Sequence, residues 1–152
     1  MISINIICVG NLKENFWREA EKEYLKRLSR FCKVKIYEVE EKNNESQVDI
    51  TLKKEGKDIL SKTKGHIILM DRQGKTFSSE ELSEKIKKIS LVNSEITYII
   101  GSSHGVSEDV KKACNEMISF GPNTFPHNLA RIMLLEQLYR AETILNNIKY
   151  HK

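Results

Sequence analysis

Residues 66–70, HIILM, form an apolar run with no polar residue after the opening histidine, and residues 96–100, ITYII, are nearly as apolar. A strand with one wet face alternates polar and apolar side chains, whereas a run of this kind requires cover on both faces. Between and around these runs the pattern changes period. Residues 2–9 are β-branched and apolar up to Gly10-Asn11, and 34–39 (VKIYEV) alternate, so both read as strands. Residues 12–31 place Phe16, Trp17, Ala20, Tyr24, Leu28 and Phe31 on one helical face. A polar connector, 40–45, leads to a weaker helix over 46–63 through Val48, Leu52, Ile59 and Leu60, where Gly56 costs about 1 kcal/mol of helix propensity. Asp71 to Gly74 reads as a loop. Ser78 and Glu81 have capping-box spacing ahead of Leu82, Ile86 and Ile89, and Ser107 caps a short helix bearing Val110 and Ala113. Residues 117–120 form a fifth strand, and a last helix runs from Pro126 or His127 to Asn147 through Leu134, Leu135, Leu138, Ala141 and Leu145, with Ile148 just beyond.

Strands alternating with helices predict an α/β fold: a parallel sheet flanked by helices on both faces, joined by right-handed crossovers. Ligands in such sheets bind outside the carboxyl ends of the strands. Three loops lie there in the second half of the chain: after Met70, at 101–105 (GSSHG), and at 121–125 (GPNTF). The last runs from a strand into a helix N-terminus, where backbone N–H groups point outward.

The 152 residues suit one domain, and a net charge of +4 permits a nucleic-acid partner without requiring one. Cys8, Cys32 and Cys114 are odd in number and form no ligand spacing, which places the chain in a reducing compartment, with Cys8 and Cys114 as small buried hydrophobes. No leader or membrane-spanning run is legible, so the expected location is the cytoplasm. The four histidines, His66, His104, His127 and His151, have no metal-ligand spacing, and His66 reads as structural. A phosphoacceptor role for Asp71 fails because Ile7, Cys8 and Val9 stand where acidic partners would be needed. The first strand–helix turn, Val9 to Leu12, lacks a dinucleotide fingerprint.

The segments IIGSSHG, TFPHNLARIMLLEQLYRA and the terminal YHK resemble the RlmH family of the SPOUT superfamily, ribosomal large-subunit pseudouridine N3-methyltransferases. Gly10, Leu12, Lys13 and Glu14 after the first strand, and the KEG at Lys54 to Gly56, extend the likeness over the whole chain. The resemblance implies one SPOUT domain over 1–152, with its C-terminal part, from about residue 95, threaded into a trefoil knot. It also implies a homodimer that binds S-adenosyl-L-methionine and methylates N3 of a pseudouridine in the intersubunit stem-loop of 23S rRNA, on the large subunit or the assembled ribosome, with no metal and no membrane. By the same resemblance Met70, Gly101, Phe120, Gly121, Pro122, Asn123, Thr124 and Phe125 are the cofactor-binding residues, and His151, Tyr150 and Arg140 the catalytic candidates. His151 is the first choice of proton acceptor, since imidazole titrates near neutrality. The chain departs from the family at Ser102, usually glycine, and at Pro122. Other readings are a non-catalytic RNA-binding or assembly factor, and a SPOUT enzyme with another RNA target. His127 reads as loop-ordering. Arg131 and Arg140 read as phosphate or base grips, with an i,i+4 pair to Glu136 as the plainer role of Arg140. The lysines between 53 and 64 read as a solvated helix face.

Overall fold

The structure is a computed structural model that describes residues 1–42 and 44–152; the connector 40–45 therefore includes one residue, Asn43, outside the described ones. Its elements are β1 (Ser3–Val9), α1 (Asn15–Leu28), β2 (Lys33–Val39), a 3-10 turn (Glu45–Gln47), α2 (Val48–Lys62), β3 (His66–Thr76), α3 (Ser79–Ser90), β4 (Glu95–Ile100), α4 (Glu108–Ala113), β5 (Glu116–Ser119) and α5 (His127–Leu145). The five strands form one all-parallel sheet in the order β2-β1-β4-β3-β5. Successive side chains of a strand point to opposite faces, and here both faces are covered. Ile4, Ile6, Cys8, Ile68, Tyr98 and Ile100 pack with Leu28 of α1, Ile86 of α3 and Leu134, Leu135 and Leu138 of α5. Ile7, Val9, Leu69 and Ile99 pack on the other side with Ile59 of α2 and Val110 of α4. Each fully buried Ile or Leu contributes about 1.5–3 kcal/mol, so the two-sided core, not helix propensity, fixes the architecture.

Local chemistry sets the helix starts. The capping box of α3 is complete, with the Glu81 N–H donating to Ser78 Oγ at 3.1 Å and the Ser78 N–H to Glu81 Oε1 at 2.9 Å. Ser107 caps α4 through the Val110 N–H at 3.4 Å. Pro126 is the N-cap of α5, one residue outside it. Among the described residues no helix is long and apolar enough to cross a membrane.

Three expectations are corrected. The segment Asp71 to Gly74, read as a loop, lies inside β3, which runs to Thr76. It is an irregularity rather than a regular strand: Met70 and Lys75 both take register with Ile118, and Asp71 Oδ1 accepts the Gln73 N–H at 2.8 Å in a tight turn. Turn-forming residues are legible in sequence; the neighbouring strand that re-pairs the chain after them is not. Phe16, placed on the core face of α1, is 63% exposed, because that helix buries only its last turn fully, at Leu28. Cys114 is only half-buried, its thiol donating to the Val110 carbonyl at 3.1 Å, while Cys8 and Cys32 are the buried pair.

Gly56, a liability for α2 by propensity, is there for contact. A Cβ at that position would sit 2.5 Å from Ser107 Oγ and 3.2 Å from Val110 Cγ2, so α2 docks directly on the capped start of α4. We predict that Gly56→Ala destabilises the fold by about 1–2 kcal/mol, the crowding and the disturbed cap outweighing a helix-propensity gain of about 1 kcal/mol. Urea unfolding would measure it, and a variant as stable as the native chain would show that the contact is slack.

Candidate active site

The carboxyl ends of β3, β4 and β5 converge on a cleft of about 740 Å³. Its walls are the apolar Leu69, Met70, Ile100, Val106, Phe120 and Phe125, with the backbone of 101–105 along one side. Seven of the eight residues matched to cofactor binding line it: Met70, Gly101, Phe120, Gly121, Asn123, Thr124 and Phe125. Pro122 is exposed and not among the lining residues. Gly101 stands where no side chain fits, since its Cβ would lie 2.6 Å from the Gly105 carbonyl oxygen and 2.7 Å from Val106 Cγ1. The backbone is thus held close on itself at the floor of the cleft.

Ser102 takes an active part in that loop. Its backbone and that of Gly105 exchange hydrogen bonds at 3.3 and 2.9 Å, and its Oγ accepts the His104 N–H at 3.3 Å. A second glycine would lack this last contact. Across the cleft, Ser119 Oγ both accepts the Gly121 N–H and donates to the Gly121 carbonyl, each at 2.9 Å, which folds the chain sharply before the Pro122 turn. Arg72 Nη1 donates to Thr124 Oγ1 at 2.8 Å and so ties the β3 turn to the loop after β5. Sequence reading did not single out Arg72; only its place at the end of an apolar run hinted at the site.

Arg131 is not a phosphate grip. It is 4% exposed, its Nε and Nη2 donate to Glu21 at 2.6 and 3.1 Å, and its Nη1 donates to Glu38 at 2.8 Å. A buried guanidinium with paired carboxylates pins α5 to α1 and to the end of β2, one turn beyond His127. His127 itself opens α5, lines the cleft, and faces Gly10 across a second cleft at the ends of β1 and β2. Beneath Arg131, burial pushes the Cys8 thiol up to about 12, so it stays protonated and inert.

The three catalytic candidates form one cluster at the far end of α5. Glu136 is its hub: it accepts Arg140 Nε at 3.1 Å, Arg140 Nη2 at 2.9 Å and the Tyr150 hydroxyl at 2.9 Å. Tyr150 stands edge-on to Tyr139 at 4.8 Å, with the Arg140 guanidinium 4.8 Å from its ring. Burial first, and then its bond to Glu136, push the Tyr150 hydroxyl up to about 12, so at neutral pH it is a donor and not a base. The His151 ring is fixed by its partners. Arg140 Nη1, 3.2 Å from Nδ1, can only donate, and the ionised Glu80, whose Oε1 lies 2.6 Å from Nε2, can only accept. The bond from His151 holds the Glu80 carboxyl below its ordinary range. His151 is therefore the neutral tautomer protonated at Nε2, with its Nδ1 lone pair covered by Arg140. From His127 to Arg140 the helix rises about 20 Å at 1.5 Å per residue, so this cluster stands well away from the end of α5 that lines the 101–125 cleft. His66, by contrast, is structural, 2.6 Å from Glu116 at the amino ends of β3 and β5, and Lys53, Lys54 and Lys57 are exposed on α2.

A family model described as "Predicted SPOUT methyltransferase" matches residues 2–151. The chain belongs to the SPOUT methyltransferase family. It is 42% identical, over 98% of its length and 99% of the relative, to a protein of Caldicellulosiruptor saccharolyticus named ribosomal RNA large subunit methyltransferase H. A protein of the same name from Fusobacterium nucleatum is 41% identical over 99% of this chain and 100% of its own. Among solved structures, a probable methylase family protein from Haemophilus influenzae superposes with a TM-score of 0.57 at 14% identity, over 98% of this chain and 70% of that one. At that identity the likeness speaks to the fold alone. As a SPOUT methyltransferase the chain is an enzyme, and the 101–125 cleft is its candidate centre.

Breaking the Arg131 cluster tests what anchors that cleft. Arg131→Met leaves Glu21 and Glu38 unpaired, and we predict a loss of about 3 kcal/mol in urea unfolding, since removing one partner of a buried pair strands the other. A loss below about 1 kcal/mol would mean that the pair is merely decorative.

Proposed function

We propose that the chain transfers a methyl group from S-adenosyl-L-methionine to N3 of a pseudouridine in the intersubunit stem-loop of 23S rRNA. The observation that carries the first half is the cleft itself: apolar walls, outward backbone at the start of α5, and a glycine floor where a Cβ would collide with the Gly105 carbonyl. These features suit a sulfonium-bearing nucleoside held by backbone and apolar contacts, with Met70, Gly101, Phe120, Gly121, Asn123, Thr124 and Phe125 as the holding residues. When bound there, the cofactor supplies a methyl on a sulfonium sulfur, which N3 takes as the C–S electron pair returns to sulfur. The Ser119–Gly121 bonds and the Arg72–Thr124 bond keep the two loops of the cleft in place before any ligand arrives, so less ordering is needed on binding. The names of the full-length relatives support ribosomal RNA as the substrate.

The N3 proton must leave, and His151 is the residue proposed to accept it, at Nδ1. That lone pair becomes free only when Arg140 turns away, toward a phosphate or the base. Arg140 is well suited to this, since a guanidinium binds phosphate bidentately. The distance between the tail cluster and the cleft-lining start of α5 supports a homodimer in which each protomer's tail serves its partner's cleft. α5 supports it too: Leu129, Ala130 and Met133 stay half-exposed beside the buried Ile132, Leu134 and Leu135, so the helix has no wholly polar face to leave in water. The knotted path belongs to the same reading, supported by Gly74, whose Cβ would lie 2.7 Å from the Ile118 nitrogen, and by Arg72 reaching Thr124. A charge of only +4 favours docking on assembled ribosomal particles over tight capture of naked RNA.

Calorimetric titration with S-adenosyl-L-methionine comes first. Saturable binding by the native chain, weakened at least about tenfold in Gly101→Ala, is expected; no binding by a folded native dimer, with or without ribosomes, sinks the reading. Mass mapping of 23S rRNA after incubation with unmodified ribosomes then tests the target, and a methyl found at another nucleotide would replace it. We further predict that His151→Ala binds the cofactor normally but loses about 10²–10⁴-fold in methylation rate, the range for a general base. Unchanged turnover would remove His151 from the mechanism.

A further inference from the structure

Opposite charges stand side by side where the 101–125 cleft meets the turn after Met70. Asp71, Arg72 and Gln73 all line the cleft there, with Arg72 exposed and Asp71 half-buried. In a regular strand neighbouring side chains point to opposite faces. Here the pairing of β3 with β5 lapses between Met70 and Lys75, so consecutive residues reach one cleft. We infer that Arg72 holds a carboxylate, that of the amino-acid end of S-adenosyl-L-methionine, with Asp71 beside it for the ammonium; this rests on the cofactor reading above.

The hydrogen bonds of Arg72 leave it free for that role. Its Nη1 donates to Thr124 Oγ1 at 2.8 Å, which holds the guanidinium at the cleft. Nε and Nη2 have no acceptor among the described residues, and together they form one edge of a planar fork that fits the two oxygens of a carboxylate. A hydroxyl partner leaves the positive charge uncompensated. Arg131 and Arg140 both meet carboxylates, whereas Arg72 meets none among the described residues. Lys111 also lines the cleft, but its ammonium is 3.5 Å from Glu108 and already engaged. Asp71 completes the pair. Its Oδ1 accepts the Gln73 N–H at 2.8 Å, which steadies the carboxylate, and its Oδ2 has no donor among the described residues. The amino-acid end of the cofactor carries a carboxylate and an ammonium on one carbon, so adjacent side chains of opposite charge complement both. The apolar walls at Leu69, Ile100 and Phe125 and the glycine floor at Gly101 are then left for the adenosine part.

Decarboxylated S-adenosylmethionine keeps the adenosine, the sulfonium and the amine but lacks the carboxylate, so it isolates this contact. Calorimetry on the native chain should show it binding at least about tenfold more weakly than S-adenosyl-L-methionine, the scale of a hydrogen bond between charged groups. In Arg72→Gln the two ligands should bind within about threefold of each other. Loss of the tie to Thr124 lowers both affinities alike, so the ratio between the ligands reads the carboxylate contact alone. Arg72→Lys keeps the charge without the fork and should keep part of the preference. Equal affinity of the native chain for the two ligands overturns the inference. A preference that survives undiminished in Arg72→Gln also overturns it, by placing the carboxylate on another group. If Arg72→Gln does not fold, Arg72→Lys decides, and an undiminished preference there overturns the inference in the same way. A native chain that binds neither ligand defeats the cofactor reading itself, whereas binding of both alike defeats only the role of Arg72.

Discussion

Covering a parallel sheet on both faces leaves chemistry nowhere to go except the strand ends. Once α1, α3 and α5 close one face and α2 and α4 the other, the interior is a solid apolar double layer in which Ile4, Ile6, Ile7, Ile68, Ile96 and Ile99 are wholly buried. Every connection from a strand to the following helix must then emerge at the carboxyl end, and it is there that the short turns after β3, β4 and β5 meet. The close contacts at Gly56, Gly74 and Gly101 follow from the same constraint, since helices and turns drawn this tightly against a full core leave no room for a Cβ at those points.

Charge is used sparingly and locally. Arg131 is deeply buried but fully paired, so its burial is offset by two carboxylates, and the outcome is a fixed start for α5 rather than a large gain in stability. Glu136 does the reverse at the other end of the helix: a partly exposed carboxylate that gathers Arg140, Tyr150 and Gln137. The first cluster is built to stay. The second is closer to solvent and holds both nitrogens of the His151 ring against Arg140 and Glu80.

Much of this was legible in the sequence because it depends on neighbours along the chain. The five strands, five helices, the capping serines Ser78 and Ser107, and the cleft at the ends of the later strands all follow from period, turn formers and cap spacing. Long motifs such as TFPHNLARIMLLEQLYRA carried the family as well. Misreadings arose where long-range contacts decide. The turn formers Asp71 to Gly74 gave no sign that β5 would take up the chain again at Lys75. Phe16 follows the helical period yet lies beyond the edge of the core. Arg131 looks like any exposed helical cation until Glu21, 110 residues away, is brought to its side.

The sequence by itself therefore determined the fold class, the succession of elements and the loops that form the candidate cleft, because hydrophobic period and turn chemistry act over a few residues. Tertiary structure alone decided which glycines are contact points, and that Arg131 is buried between two carboxylates while Arg140 stays nearer the solvent. Those properties belong to pairs of residues far apart in the chain, and only packing brings such pairs together.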